Sequence, residues 1–345
     1  MLNTPNSPRH NPFGDPIVDV VIPTRGRGSL IDITITSIRQ STFKAFTLWV
    51  VDQSDDDATE EAVRPHTEAD PRICYIRSPT RGSSIGRNIG AAAGSAPYVI
   101  FTDDDCRVEL DWLQVLISEL QQNEAWAVFG RIIPDEVYKD KIPPGAKPVT
   151  KGLPMALKDA PQHQVYEGNR FNLSFGHGAN MGFRRKCYEQ INGFDELLGA
   201  GGPLRSWPER DIGYRILLAG GRIVYTPHAL VYHRHWRGWE DVRLTYRNYA
   251  FGAGAVVSKY LRCGDLGGLY LLIEWFLDQG VRQVLSGILK WRSSQKIHVG
   301  LLQLTYPWVG IAHSLRYPVD RAQMTYKHEG RRQVIDSTLK SEPTG

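Results

Sequence analysis

An α/β fold, with a mostly parallel central sheet flanked by helices and a C-terminal helical extension, is predicted by three observations. Short β-rich runs alternate with longer polar and apolar stretches from Ile17 onward: IVDVVIP, TLWVVDQ, RICYIRS, YVIFTD and WAVFGRII. Each of the first three is followed by a turn or cap element, at Thr24 to Ser29, Ser54 to Asp57 and Pro79 to Ser84. That alternation marks βαβ units and a parallel sheet. After His235 the composition shifts to Tyr, Trp, Leu, Gly and Arg, which reads as several amphipathic helices.

In chain order, residues 1–16 (MLNTPNSPRHNPFGDP) form an expected flexible leader without the basic-then-apolar pattern of an export signal. LIDITITSIRQS is rich in β-branched residues and takes its helical assignment from its place between two strands. Residues 109–123 put Leu110, Leu113, Leu116 and Leu120 on one helical face. The Pro-, Lys- and Asp-rich residues 132–165 read as a long surface loop, after which FGHGANMGFRRKCYEQINGFDE restores a regular pattern. The catalytic domain is expected over 17–240, the helices over 241–325 and a polar, disordered tail over 326–345. The most apolar window, Leu266 to Leu277, is interrupted by Glu274. It falls short of the roughly 20 residues that a spanning helix needs.

With 345 residues, 41% hydrophobic and 23% charged, the chain can bury a sizeable core as one large domain or a domain plus an appendage. A net charge of +4 is compatible with anionic small ligands or an anionic membrane surface and excludes a nucleic-acid-binding composition. Cys74, Cys106, Cys187 and Cys263 lie far apart with no CxxC pair, which disfavours a zinc site or a disulfide framework and fits a cytoplasmic setting.

The chemistry concentrates where strands end. YVIFTDDDC runs from four apolar residues into Asp103, Asp104 and Asp105. Two carboxylates about 4 Å apart repel by roughly 4 kcal/mol at an effective dielectric near 20, so the cluster calls for a cation. On an extended strand end Asp103 and Asp105 would point to one side and Asp104 away, and a pair of convergent carboxylates suits Mg²⁺ or Mn²⁺. A helix cap would need one Asp, not three. Asp52 closes the second run at the same sheet edge and could accept from a ribose or base, or simply start a turn. In TRGSSIGRNIGAAAGS the glycines recur every four residues, a pattern for close helix packing that is neither GxGxxG nor a P-loop. Arg87 and Asn88 stand out on that helix as polar contacts for phosphate or base. Farther on, Trp207, Glu209 and Asp211 follow the Gly201–Gly202 loop and open another helix. His233 and His235 close VYHRH on one side of a strand as candidate metal ligands.

The succession VVIPTRGR, VVDQS, GRNIGAAAG, YVIFTDDDC, GANMGFRR, NGFDE and PERDIGYRILLAGGRIVYTPHALVYH resembles the family 2 glycosyltransferases of GT-A (Rossmann-like) fold, over roughly residues 17–240. The resemblance implies an inverting transfer of sugar from a nucleotide-diphospho-sugar to a hydroxyl acceptor, in cell-surface polysaccharide or glycolipid synthesis. It implies that Pro23, Thr24, Arg25, Asp52, Arg87, Asn88, Asp103 and Asp104 bind the nucleotide-sugar. Asp105, with Asp103 and His233, would hold Mg²⁺ or Mn²⁺. Glu209 falls at the general base, with Pro208 where the family usually has Glu. His177, Asn180, Trp207 and Asp211 fall in the region of donor sugar and acceptor. The C-terminal helices resemble those that let some members rest on the inner face of the cell membrane, and a helical cap on the catalytic domain explains them equally well. A sugar-1-phosphate nucleotidyltransferase would want a Lys in the first loop, which PTRGRGSL lacks. A silent sugar- or nucleotide-binding protein on the membrane face would draw support only from Pro208, and a hydride-transfer enzyme would need a GxGxxG.

Overall fold

Short apolar runs build the sheet, and every residue of the first two, Val18–Thr24 and Phe46–Asp52, is buried. In a computed structural model that describes residues 14–122, 124–135, 146–150, 152–153, 156–234 and 238–328, the alternating runs become the expected units. These are β1 (Val18–Thr24), α1 (Gly28–Arg39), β2 (Phe46–Asp52), α2 (Ala58–Ala69), β3 (Ile73–Arg77), α3 (Ser83–Ala93) and β4 (Tyr98–Phe101). The β-branched stretch after β1 is helical, as its position required. Tertiary context overrides its weak propensity: Ile31, Ile35 and Ile38 form a fully buried stripe on the sheet.

The chain continues through β5 (Cys106–Val108), α4 (Trp112–Gln122), β6 (Ala127–Pro134), β7 (Gln164–Tyr166), β8 (Met181–Arg184), α5 (Arg185–Gln190), α6 (Pro208–Leu218) and β9 (Ile223–His233). The strand order is β3-β2-β1-β4-β8-β6-β9-β5, with β7 paired to β9. β1 to β4 are mutually parallel, and β8 runs against both β4 and β6. β9 is parallel to β6, whereas β5 and β7 oppose β9, so most strands share one direction.

Val20 and Ile22 of β1 pack with α1, α2 and α4 on one face, whereas Val21 packs with α3, α6 and the C-terminal helices on the other. The strand order reverses at β1, because β2 leaves it on one side and β4 on the other. Ligands of such sheets bind at the carboxyl ends of the strands flanking this reversal. Thr24 ends β1, and the three aspartates follow β4.

Close packing of α3 depends on its small residues: a Cβ at Gly90 would lie 2.3 Å from Val21 Cγ1. One expectation for α4 fails. Leu110 precedes the helix in a turn and is 51% exposed, while Leu113, Leu116 and Leu120 are buried as expected.

The C-terminal region comprises α7 (Trp239–Arg262), α8 (Gly267–Trp275), a π-helical turn (Phe276–Val281), α9 (Arg282–Leu289), α10 (Ser294–Ser314) and a short hairpin of β10 (Val319–Asp320) and β11 (Thr325–Tyr326). A boundary at 240 does not interrupt the packing. Phe251, Val256 and Tyr260 of α7 belong to the same apolar cluster as Phe101 and Phe129 of the sheet. Burying each such side chain contributes about 1.5–3 kcal/mol.

A charged staple reinforces the join. Lys259 Nζ is fully buried and lies 2.7 Å from Asp195 Oδ2 and 2.6 Å from Asp211 Oδ1. Tyr326, expected to open a disordered tail, is instead buried: its N–H donates to Asp195 and its hydroxyl to the Ala255 carbonyl. Residues 329–345 of that tail, residues 1–13 of the leader and His235 lie outside the described residues. No helix among the described residues is long and apolar enough to cross a membrane.

Candidate active site

A cleft of about 1170 Å³ opens at the strand reversal, and Arg27, Arg87, Asp103, His177, Glu209 and His233 line it. The aspartates meet their first partners there, and these are arginines. Phe101 ends β4, and Asp104 and Asp105 lie in a turn, so the strand alternation expected for the three residues does not hold. Arg27 Nη1 donates to Asp104 Oδ1 at 2.8 Å and to Asp105 Oδ2 at 3.2 Å. Thr24 Oγ1 donates to Asp104 Oδ2 at 2.7 Å. Burial, then the neighbouring Asp105 charge, outweigh these partners and push the Asp104 carboxyl up to about 6. Asp103 turns elsewhere and accepts from Arg87 Nη2 at 2.8 Å. A Cβ at Gly178 would lie 3.0 Å from that guanidinium nitrogen, so a residue without a side chain lets Arg87 reach the cleft.

The strand register brings a buried donor set together behind His233, which lines the cleft. β5 and β9 run antiparallel, with Cys106 opposite His233. Ligand atoms of Asp105, Cys106 and His233 lie within 4.8 Å of one another, and all three residues are buried. His233 Nε2 is 3.4 Å from Asp105 Oδ1. Burial and the charges of Asp105 and Asp103 hold the Cys106 thiol well above its usual range, so it stays protonated. One carboxylate and one imidazole, beside a cleft that can admit water and phosphate oxygens, fit a hard divalent ion such as Mg²⁺ or Mn²⁺. Asp103, expected as a ligand with Asp105, lies outside this group.

Across the cleft α6 begins with Pro208 at its first position, preceded by Trp207 at φ 73°. Proline there costs no backbone hydrogen bond, and its fixed φ suits a helix start. Glu209 follows in the first turn, with His177 Nδ1 at 3.9 Å from its Oε1. Burial works to raise the Glu209 pKa. His177, the residue's own backbone N–H and Arg210 outweigh it, so the carboxyl lies below the usual glutamate value and stays ionised. Trp207 lines the same cleft and packs against Trp275 with the rings tilted and their centroids 5.3 Å apart.

Several residues expected at the site serve the scaffold instead. Asp52 ends β2 as foreseen, but its carboxylate is fully buried, accepting from the Ser54 N–H at 2.8 Å, the Tyr75 hydroxyl at 2.7 Å and Arg77 at 3.3 Å. Asn88 bridges α3 to α5 and the loop after it, donating to Phe194 O and Glu196 and accepting from Tyr188 and the Phe194 N–H. Asn180 is fully buried, donating to the Arg131 and Ala229 carbonyls and accepting from Trp112 Nε1. Asp211 is closed off by Lys259, Tyr260 and Arg215. Pro23 is buried in β1, and Arg25 sits at the rim, paired with the exposed Asp55 at 2.9 Å. Arg27 and Cys106 are the neighbours of the aspartate cluster that sequence reasoning missed. Arg27 lies two positions from the Arg25 that was singled out, and nothing in PTRGRGS distinguishes them before folding.

A family model described as glycosyl transferase family 2 matches residues 19–191. The pre-mycofactocin glycosyltransferase of Mycobacterium tuberculosis is 27% identical over 234 residues. That alignment covers 67% of this chain and 44% of the relative, so the match spans under half of the relative's length. A GalNAc(5)-diNAcBac-PP-undecaprenol beta-1,3-glucosyltransferase of Campylobacter jejuni is 31% identical over 121 residues, or 34% of this chain and 38% of that one. Among solved structures, the mannosyltransferase PcManGT from Pyrobaculum calidifontis, in complex with GDP-Man and Mn²⁺, shares the fold. Its TM-score is 0.58 at 16% identity, over 88% of each chain.

Proposed function

Since this chain belongs to glycosyl transferase family 2, we propose that it is a metal-dependent inverting glycosyltransferase that moves a sugar from a nucleotide-diphospho-sugar to an acceptor hydroxyl. The observation that carries this reading is a cleft at the strand reversal lined by an ionised Glu209 and by His233, whose Nε2 lies 3.4 Å from the buried Asp105 carboxylate. Asp105 and His233 would hold the divalent ion, which when bound supplies charge neutralisation for a departing diphosphate. Arg27 and Arg87 bring two further positive charges to the same pocket, where they favour the developing negative charge. Glu209 accepts the proton of the acceptor hydroxyl as the oxygen bonds to the anomeric carbon and the bond from that carbon to the diphosphate oxygen breaks. His177 nearby helps hold the Glu209 pKa down. A single displacement inverts the anomeric centre. With Pro208 in place of a carboxylate, the base task falls on Glu209 alone.

The cell-surface role belongs to the same proposal, with the Campylobacter relative's lipid-diphosphate-linked acceptor in its favour. A peripheral contact with an anionic membrane face is supported by apolar side chains exposed along α8 and α9, among them Leu266, Ile273, Leu277 and Leu289, with Arg282 and Lys290 close by in sequence. Flotation with phosphatidylglycerol vesicles tests it: the full chain should float, and Ile273→Asp with Leu289→Asp should not.

The donor reading is tested by thermal shift against UDP-, GDP-, dTDP- and CMP-sugars, each with Mn²⁺ or EDTA. A ligand at about 100 times its dissociation constant stabilises by roughly 2.7 kcal/mol. Stabilisation by one nucleotide class with Mn²⁺ alone is the expected result. No stabilisation by any of them would favour a silent binding protein.

A further inference from the structure

At about 1170 Å³ the cleft stands just above the roughly 300–1,000 Å³ typical of single-ligand pockets. Part of it is walled by the C-terminal helices and is rich in cations. Lys296 in the first turn of α10 is only 4% exposed, yet it lines the cleft with its ammonium 4.4 Å from the centre of the Trp291 ring. Lys290 faces the same ring at 5.7 Å. No carboxylate pairs with either lysine among the described residues. The first turn of α10 carries no acidic residue, so its free N–H groups add to the positive potential.

Arg205 and Arg247 line the cleft too, and the Arg247 Nε is buried without a hydrogen-bond partner. Two acidic side chains of this part are engaged: Asp241 accepts from the Gly238 N–H at the start of α7, and Asp278 pairs with Arg282. A buried lysine and a guanidinium nitrogen without counter-charges are costly to keep unless an anion visits them. Burial and the charge of Lys290 both lower the Lys296 pKa, as expected for a cation awaiting a partner.

We infer that the part of the cleft walled by the C-terminal helices is the acceptor subsite and that it takes a phosphate or diphosphate group, held by Lys296 and Lys290, with Arg247 and Arg205 lining the same cleft. This rests on the glycosyltransferase reading for the word acceptor, and on the cation cluster alone for the anion. The sugar to be extended would then reach toward Glu209 from an anchored phosphate.

Titration calorimetry of the full chain in EDTA with inorganic pyrophosphate tests the site. Binding should weaken at least tenfold in Lys296→Gln and several-fold in Lys290→Gln, an exposed position whose change leaves the fold alone. Asp105→Ala should leave pyrophosphate binding in place while losing Mn²⁺-dependent nucleoside diphosphate binding, which Lys296→Gln should retain. No pyrophosphate binding by the unmodified chain, or equal affinity in both lysine variants, overturns the inference. Lysine-dependent pyrophosphate binding without any nucleotide binding would support the anion site and sink the donor reading instead. Farnesyl diphosphate serves as a second probe: tenfold tighter binding than pyrophosphate identifies a lipid-linked source, and equal affinity a soluble phosphorylated sugar.

Discussion

Two carboxylate clusters in this protein meet the same electrostatic problem in opposite ways. Asp195 and Asp211 are fully buried around Lys259, with Arg215 on the other Asp211 oxygen, the Tyr260 hydroxyl sharing the first, and the Leu197 N–H on the other Asp195 oxygen. Asp103, Asp104 and Asp105 share Arg27 and Arg87, on the wall of an open cleft where Asp103 remains about a third exposed. The first cluster is complete within the chain and locks α7 onto α6. The second is only partly compensated and leaves Asp105 beside His233, a place for an added cation. Charge that a fold satisfies internally holds structure, and charge that it leaves partly unmet is available for chemistry.

The largest effect expected from breaking the closed cluster is on stability. Lys259→Met strands two buried carboxylates and should cost about 3–5 kcal/mol in urea unfolding. In the open cluster Asp105→Asn should instead cost function. Donor affinity with Mn²⁺ should fall on the order of 100-fold, or about 2.7 kcal/mol, while the melting temperature holds or rises because a like charge is gone.

Acid separates the clusters by sign. Asp104 has a folded pKa raised to about 6 from 3.8 by burial first and then by Asp105. The folded state therefore binds the extra proton, and this contribution to stability is lost as pH rises through that window, by on the order of 2–3 kcal/mol. Burial acts to raise the Asp211 pKa, but Lys259 and Arg215 depress it below 3.8 overall. Its contribution is present above the ordinary carboxylate value and lost as pH falls through the folded one. Unfolding measured in EDTA between pH 3 and 7 should show both limbs, and Asp104→Asn should flatten only the upper one. The smallest effect belongs to the rim, where Arg25→Gln removes a solvent-exposed pair with Asp55 and should change donor affinity by less than about threefold.

The sheet was legible because short β-rich runs alternate with longer stretches and each early run is bounded by a turn. The aspartate cluster, His233 and Glu209 were legible because strand ends and helix starts are local features that a sequence displays. The roles of Asn88, Asn180 and Asp211 were not, since each is decided by partners about 50 to 100 positions away, such as Glu196, Trp112 and Lys259. The turn after Phe101 also escaped notice. Nothing in TDDDC says that the strand has ended before Asp103, and that one fact sets which aspartate faces which arginine.

The most direct test of the open cluster's chemistry is single-turnover transfer by Glu209→Gln, with the donor that the thermal shift identifies and its dissociation constant measured alongside. The transfer rate should fall by roughly 10²–10⁴ with donor affinity within about twofold of the unmodified chain. Transfer at an undiminished rate would contradict this and remove Glu209 as the base.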